Sequence, residues 1–369
     1  MTNWINSPDL LRERIAQPPA VIGMDTEFIR ERTYWPQLAL VQIALDSSDD
    51  GILLVDTLAP GMTEALAPLL TDPTVIKVMH SASEDLVAFK HACGVVPVGL
   101  FDTQIAASLA GVGSGLGYQK LVLAQTGIGV DKGETRSDWL RRPLSASQLT
   151  YAAEDVRHLH VLHRQLAEAL ATLGRSDWLA EDCARLLVGA ANDDGERWPH
   201  LPLRSAQFLD RDAQVRVLRL LRWRDVQARR SDRPRSWVLD NELAVTIARQ
   251  DPVDASALRI LLEATPKSPR SLLEALFEAL KTPVADEADA PLARGDERDK
   301  KQLRAMQDAV TALAAELGLP EGLLASRKWL EALQDGQDWP GALSGWRRTL
   351  LEPRLAPLLA TGGGSVASV

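Results

Sequence analysis

Between residues 20 and 98 the chain carries four short apolar runs, and their spacing limits the possible fold more than any other feature of the sequence. The runs are AVIGMDTEF (20–28), LALVQIAL (38–45), GILLVDTL (51–58) and VIKVMH (75–80). Their length and the Gly, Pro and Asp residues around them are typical of strands, whereas residues 62–70 and 83–92 have helical spacing. Three consecutive strands imply antiparallel pairs, and the later alternation implies a parallel crossover. We therefore predict an α/β fold, a mixed sheet flanked by helices.

Beyond Phe101 the pattern is helical, and two breaks divide it. Pro199 and Pro202 mark the first break, and residues 282–299 combine two prolines with a run of charge and few large apolar side chains. We predict an α/β domain over 1–205, a small all-α domain over 206–285, an acidic, proline-containing linker over 286–299 and a second small all-α domain over 300–369.

The composition is that of an average globular protein, with 46% apolar and 25% charged residues, which excludes a disordered or fibrous chain. The two cysteines, Cys93 and Cys183, have no Cys-x-x-Cys partner, which argues against a disulfide framework and a thiolate zinc site. The N-terminal residues do not resemble a secretory signal, and no apolar run approaches the roughly 18 residues of a membrane span. A cytoplasmic protein is expected.

Two carboxylates interrupt the first strand. Asp25 and Glu27 are two residues apart and therefore project from the same face of the sheet. Two adjacent carboxylates repel each other unless a cation lies between them, and strand residues that face a core are usually apolar. An edge strand that faces water is the alternative.

Two further carboxylates lie on predicted helices. Ser83 could cap the helix that follows VIKVMH, and Glu84 and Asp85 would then lie in its first turn, where the helix dipole favours negative charge. Capping explains Glu84 but leaves the role of Asp85 open. Tyr151 and Asp155 are four residues apart on a later helix and share a face. Four hard oxygen donors on three elements suit magnesium or manganese.

The order and spacing of these segments resemble those of a known family. The motifs MDTEF, TYWPQLALVQIA, HSASEDL, FDTQIAAS, KGETRSDWLRRPLS and YAAEDV resemble, over residues 20–165, the tyrosine subclass of the DEDD exonuclease superfamily, and within it ribonuclease D. The resemblance implies a ribonuclease-H-like sheet and a two-metal hydrolysis that releases nucleoside 5′-monophosphates from a 3′ end.

The same resemblance implies roles for the site residues. Asp25, Glu27 and Asp155 would hold the metal ion that generates the nucleophile, with Asp25 bridging to a second metal ion. Asp85 would complete the ligand shell, directly or through water. Tyr151 would orient the attacking water, because a phenol with a pKa near 10 is a poor base at neutral pH.

The helical half contains an arginine-rich segment. Residues 206–240 hold nine arginines and five aspartates, and on a helix most of these arginines lie opposite the apolar arc. We predict phosphate contacts from Arg216, Arg219 and Arg230, with an ordinary solvated face as the alternative. The segment RSWVLDNELAVTIARQDP resembles the start of an HRDC domain, a helical module of helicases and ribonuclease D, and residues 302–360 resemble a second, more divergent one.

Other residues are candidates for substrate contact. Phe28 and Tyr34 could stack on terminal bases, although core packing explains each of them equally well. The basic residues before the Tyr151 helix could meet phosphates or could be solvated; they are Lys132, Arg136, Arg141 and Arg142. Asp102 could be a fifth metal ligand, but capping of the following helix by Asp102 or Thr103 is favoured.

Together these features predict a 3′→5′ exoribonuclease that depends on two divalent metal ions (Mg²⁺ or Mn²⁺) and trims tRNA precursors and other small structured RNAs. Its expected partner is RNA with a free 3′ end, with no membrane and no obligate protein partner. The alternatives are a 3′→5′ DNA exonuclease of the same superfamily and a non-catalytic RNA-binding scaffold. The net charge of −9 argues against long-range attraction of RNA, so binding is expected to be local.

Overall fold

The computed structural model describes residues 3–131, 133–134, 137–192, 195–266, 268–293, 299–336 and 338–362. The chain divides into two compact units. Unit 1 takes the described parts of residues 1–29, 36–191 and 299–369, and unit 2 takes those of residues 30–35 and 192–298. The domain boundaries derived from the sequence stay predictions.

Unit 1 contains a mixed sheet. Its six strands are β1 (Asn3–Ile5), β2 (Val21–Ile29), β3 (Gln37–Ala44), β4 (Ile52–Asp56), β5 (Ile76–Met79) and β6 (Leu100–Asp102). Their order is β1-β4-β3-β2-β5-β6. β3 pairs antiparallel with both β2 and β4, and the other pairs are parallel. The predicted α/β class with a mixed sheet is confirmed; β1 and β6 were not predicted, because three residues are too few to show a period.

The helices follow the predicted alternation and then fill the rest of the chain. In chain order they are α1 (Pro8–Arg14), α2 (Met62–Thr71), α3 (Ser83–Cys93), α4 (Thr103–Leu109), α5 (Tyr118–Thr126), α6 (Ala146–Arg157), α7 (Leu159–Thr172), α8 (Ser176–Ala191), α9 (Arg211–Ser231), α10 (Arg235–Val238), α11 (Asn241–Gln250), α12 (Ala255–Glu263), α13 (Leu273–Lys281), α14 (Lys300–Leu317), α15 (Glu321–Leu324), α16 (Arg327–Gln334) and α17 (Trp346–Gly362). No helix in the described part of the chain combines the length and the apolar character that a membrane crossing needs.

The two faces of the sheet carry different helices. Ile22 and Met24 of β2 are buried in one core together with side chains of α1, α2 and α3. Because side chains alternate along a strand, Asp25 and Glu27 point to the opposite face, on which α6 and α7 pack. Strand β2 therefore presents its carboxylates to one helical layer and Ile22 and Met24 to the other.

The C-terminal helices of unit 1 share the core of the α/β part. Leu303, Met306 and Leu330 belong to the same hydrophobic cluster as the buried residues of α6 and α7. Trp178 of α8 stacks on Trp346 of α17 with ring centroids 4.4 Å apart. The sequence pattern did not predict this packing, because helical periodicity shows an apolar face but not its partner.

The turn before α3 is held by a residue from another strand. Ser83, which from the sequence could cap α3, does not do so: the helix begins at Ser83, and its N-cap, Ala82, makes no side-chain bond. Instead the buried Asp102 accepts hydrogen bonds from the backbone N–H groups of Ala82 (2.8 Å) and Ser81 (3.3 Å). Asp102 also caps α4 through Gln104 N (2.8 Å) and Ile105 N (3.1 Å), as favoured from the sequence.

Replacing Asp102 with Ala should therefore destabilise unit 1 strongly. The change leaves four backbone N–H groups, all of them buried or partly buried, without their charged acceptor, and we expect a loss of about 3 kcal/mol in the free energy of unfolding. Asp299→Ala is the matched control, because Asp299 caps α14 from an exposed position and its loss should cost about 1 kcal/mol. Urea denaturation followed by circular dichroism checks both values; equal losses would contradict the role given to Asp102.

Candidate active site

Three of the predicted carboxylates converge. One ligand oxygen from each of Asp25, Glu27 and Asp155 lies within 4.8 Å of the others. Strand β2 lies between β3 and β5 in the sheet, so the alternative of a solvent-facing edge strand is wrong.

Helix α6 brings Asp155 over β2, and its first turn is defined by local sequence. Ser145 and Gln148 form a capping box: the Gln148 N–H donates to Ser145 Oγ (3.2 Å), and the Ser145 N–H donates to Gln148 Oε1 (2.9 Å). The helix then packs on β2, β3 and β4. Because Tyr151 and Asp155 are one turn apart, the same face of α6 presents both side chains to the cluster.

Asp85 reaches the site from the opposite face of the sheet. It is not part of the group of ligand atoms that lie within 4.8 Å of one another. Its Oδ1 accepts a hydrogen bond from the hydroxyl of Thr26, and both side chains are buried. Thr26 lies between Asp25 and Glu27 and points to the α3 side because of strand alternation. Sequence reasoning missed Thr26, although its position between two carboxylates of one face was the available signal.

Burial raises the pKa values of all four carboxyl groups, and repulsion within the group adds to the effect for Asp25 and Glu27. The pKa of Asp25 lies well above its ordinary value because of burial and the neighbouring charges of Asp85, Asp155 and Glu27. Burial and the charges of Asp155 and Asp85 raise the pKa of Glu27 to about 9. Burial raises the pKa values of Asp85 and Asp155 to about 7. Buried hard oxygen donors that repel one another fit a divalent cation, which would offset their charge.

Tyr151 is coupled to the cluster through Asp155. The phenol is hydrogen-bonded to the Asp155 carboxyl group, and burial together with the nearby carboxylates raises its pKa. The phenol therefore stays protonated at neutral pH and acts as a hydrogen-bond donor. Its ring lies 6.1 Å from that of the buried Trp139, measured between centroids.

The basic residues before α6 have different outcomes. Arg142 is a structural anchor: its Nη2 donates to Asp56 Oδ1 and to the Ala39 carbonyl, each at 2.7 Å, and its Nη1 donates to the Trp139 carbonyl at 2.7 Å. Phosphate contact by Arg142 is therefore not supported. Lys132 and Arg136 lie outside the described residues, and their phosphate contacts stay predictions.

The aromatic candidates are involved in packing. Tyr34 is buried in unit 2, where its hydroxyl donates to Asp225 Oδ1 (2.9 Å) and accepts from Arg229 Nε (3.0 Å) and Arg235 Nη2 (2.7 Å). These bonds oppose base stacking and support the packing alternative. Phe28 is partly buried against the core on the α1–α3 face, so it points away from Asp25 and Glu27.

The predicted basic face of α9 is largely paired within unit 2. Arg219 makes two bonds to Glu287 (2.6 and 2.7 Å), and Arg222 lies 2.6 Å from Asp286. Arg216 donates to the Ala248 carbonyl at 2.7 Å and lies 3.4 Å from an Asp251 oxygen.

Arg216 and Arg219 have partners within unit 2, and their predicted phosphate contacts are therefore not supported. Helical periodicity shows where arginines point but not which carboxylates cover them. Part of the cover comes from the segment that we predicted to be a linker. Arg230, in contrast, is exposed.

The raised pKa of Glu27 predicts how the stability of the metal-free protein depends on pH. Its pKa is about 9 in the fold against an ordinary value of 4.5, so its contribution to stability is complete below pH 4.5 and is lost as the pH rises through 9. In EDTA the melting temperature should therefore fall between pH 5 and pH 9. Calorimetry checks this, with Glu27→Gln as the control that should show a flatter profile; equal slopes for the two proteins would contradict it.

Comparison of the sequence with known proteins points to one family. A family model described as 3′-5′ exonuclease matches residues 2–171. A ribonuclease D of Xanthomonas oryzae pv. oryzae is 58% identical over 361 residues, which cover 97% of this chain and 99% of that protein. A ribonuclease D of Gluconacetobacter diazotrophicus is 39% identical, with 92% and 87% covered.

A solved structure has a similar fold over nearly the whole chain. The crystal structure of Escherichia coli RNase D, an exoribonuclease involved in structured RNA processing, superposes with a TM-score of 0.82 at 27% identity and covers 98% of this chain and 99% of that one. The carboxylate cluster, the family model and the full-length relatives agree with one another, and the chain belongs to the ribonuclease D family.

Proposed function

We propose that this exoribonuclease trims the 3′ ends of tRNA precursors and other small structured RNAs in the cytoplasm, at a centre that holds two divalent metal ions. The observation that carries the proposal is the convergence of Asp25, Glu27 and Asp155 on one face of a buried strand. Carboxylate oxygens are the ligands that Mg²⁺ and Mn²⁺ prefer.

Some side chains of the site would bind the metal ions, and others would orient a ligand or the attacking water. Asp25, Glu27 and Asp155 would bind the ions, and Asp85, oriented by the Thr26 hydroxyl, would complete the shell. The ions would stabilise the charge on the scissile phosphate and lower the pKa of the attacking water. Tyr151 stays protonated and would donate a hydrogen bond that orients this water.

The substrate class rests on the relatives. The Escherichia coli enzyme acts in structured RNA processing. A preference for RNA over DNA would rest on contacts to the 2′-hydroxyl group. Hydrolysis at the 3′ end would release nucleoside 5′-monophosphates.

Asp25→Asn should abolish exonuclease activity. With 5′-labelled RNA and DNA of the same sequence in Mg²⁺, Mn²⁺ or EDTA, we expect a ladder of shortened RNA from the wild type. The ladder should disappear in EDTA, and in the variant the rate should fall by more than about 100-fold, the upper range for loss of an outer-shell partner. Asp177→Asn, at an exposed position of α8, is the control and should be fully active.

Three results would overturn the proposal. They are cleavage in EDTA, faster degradation of DNA than of RNA, and a ladder of wild-type intensity from Asp25→Asn.

Arg230 provides a separate test of the basic face. Because it is exposed, Arg230→Ala should weaken RNA binding and reduce the slope of log affinity against log salt by about 0.7–0.9 for one lost phosphate contact. Arg219→Ala is the control: it breaks the bonds to Glu287, so it should lower the melting temperature and leave the slope unchanged. Fluorescence anisotropy at several salt concentrations measures the slopes. An unaltered slope for Arg230→Ala would contradict the phosphate contact and would support the alternative of a solvated side chain.

A further inference from the structure

Gln42 of β3 is a buried polar residue that the proposed function does not use. Its side chain is 0% exposed, and neither Nε2 nor Oε1 has a hydrogen-bond partner among the described residues. Such groups are rare in folded proteins, because burial removes their bonds to water without replacement.

The register of the sheet places Gln42 directly opposite Asp25. The two residues are paired in the antiparallel ladder between β2 and β3. Residues paired in this way point to the same face, with Cβ atoms about 4.5–5.5 Å apart. The side chains of Gln42 and Asp25 are therefore neighbours on the face that α6 covers, and no hydrogen bond joins them in this structure.

The neighbours of Gln42 on this face are apolar. Leu40 and Ala44, two residues away on each side, are fully buried and belong to the core under α6 and α7. A residue that only filled space here would be expected to be apolar as well, since Leu or Met has a similar volume and no polar atoms to bury. Gln42 thus places a hydrogen-bonding group at a position where packing alone would favour an apolar residue.

We propose that Gln42 is a positioning residue for Asp25: its Nε2–H group, which has no partner in the described part of the chain, would donate to the Asp25 carboxylate when divalent cations are bound there and would hold that carboxylate in its binding orientation. The inference rests on the proposed function. A carboxylate that is shared between two ions must present both oxygens in defined directions, and a donor behind it limits its rotation. Outer-shell partners of this kind orient metal ligands in many metalloproteins.

The test uses Gln42→Met, which keeps the length of the side chain and removes both polar atoms. Titration calorimetry of the metal-free protein with Mn²⁺ measures affinity, and thermal unfolding in EDTA and in saturating Mn²⁺ measures stability. We expect Mn²⁺ affinity to fall about 10- to 100-fold. The melting temperature in EDTA should stay equal or rise, because two unpartnered groups are removed.

Leu40→Met is the matched control. Leu40 lies on the same face of β3 and is paired with Glu27, but it has no polar group to lose. It should bind Mn²⁺ like the wild type, which separates loss of the hydrogen bond from repacking. If Gln42→Met does not fold, Gln42→Leu replaces it.

Two outcomes would overturn the inference. Mn²⁺ affinity of Gln42→Met within twofold of the wild type is one. The other is a fall in Mn²⁺ affinity that Leu40→Met reproduces, since Gln42 would then serve packing alone.

Asp25→Asn separates this inference from the proposed function. If it binds Mn²⁺ as tightly as the wild type, the metal centre itself is refuted. If it loses Mn²⁺ binding while Gln42→Met keeps it, only the role of Gln42 fails.

Discussion

The repulsion between buried carboxylates is the constraint on which the rest of the site depends. Asp25 and Glu27 share one face of a strand that is interior to the sheet, and Asp155 is brought against them from α6. Burial raises the pKa values of these groups, and neighbouring carboxylates add to the effect for Asp25 and Glu27, so the site would release protons on binding cations. A divalent cation held by these carboxylates would relieve the repulsion and would supply the charge that phosphodiester hydrolysis needs.

Strand β2 organises both faces of the sheet around this constraint. Its odd positions, Asp25 and Glu27, face α6, while Thr26 faces α3 and orients Asp85. Asp102, at the end of β6, accepts hydrogen bonds from the turn that precedes α3. Hydrogen bonds from Thr26 and to Asp102 thus fix the start of the helix that carries Asp85, and the candidate ligands lie on one strand and two helices.

An acidic protein that acts on RNA is less paradoxical once its charges are located. Several acidic residues of unit 1 form the proposed metal centre and would be offset by its ions. In unit 2, Asp286 and Glu287 neutralise Arg222 and Arg219, so the arginine-rich helix is less positive than its sequence suggests. The proposed attraction of RNA would then be local, led by the metal centre and by exposed cations such as Arg230.

The sequence by itself determined the α/β class, the shared face of Asp25 and Glu27, and the pairing of Tyr151 with Asp155, because these follow from periods of 2 and 3.6 along the chain. Only the tertiary structure decided the partners that lie far apart in sequence: Thr26 with Asp85, Arg219 with Glu287, and Tyr34 with Asp225. Periodicity reports the direction in which a side chain points. It does not report which distant side chain lies there, since that depends on how the elements pack.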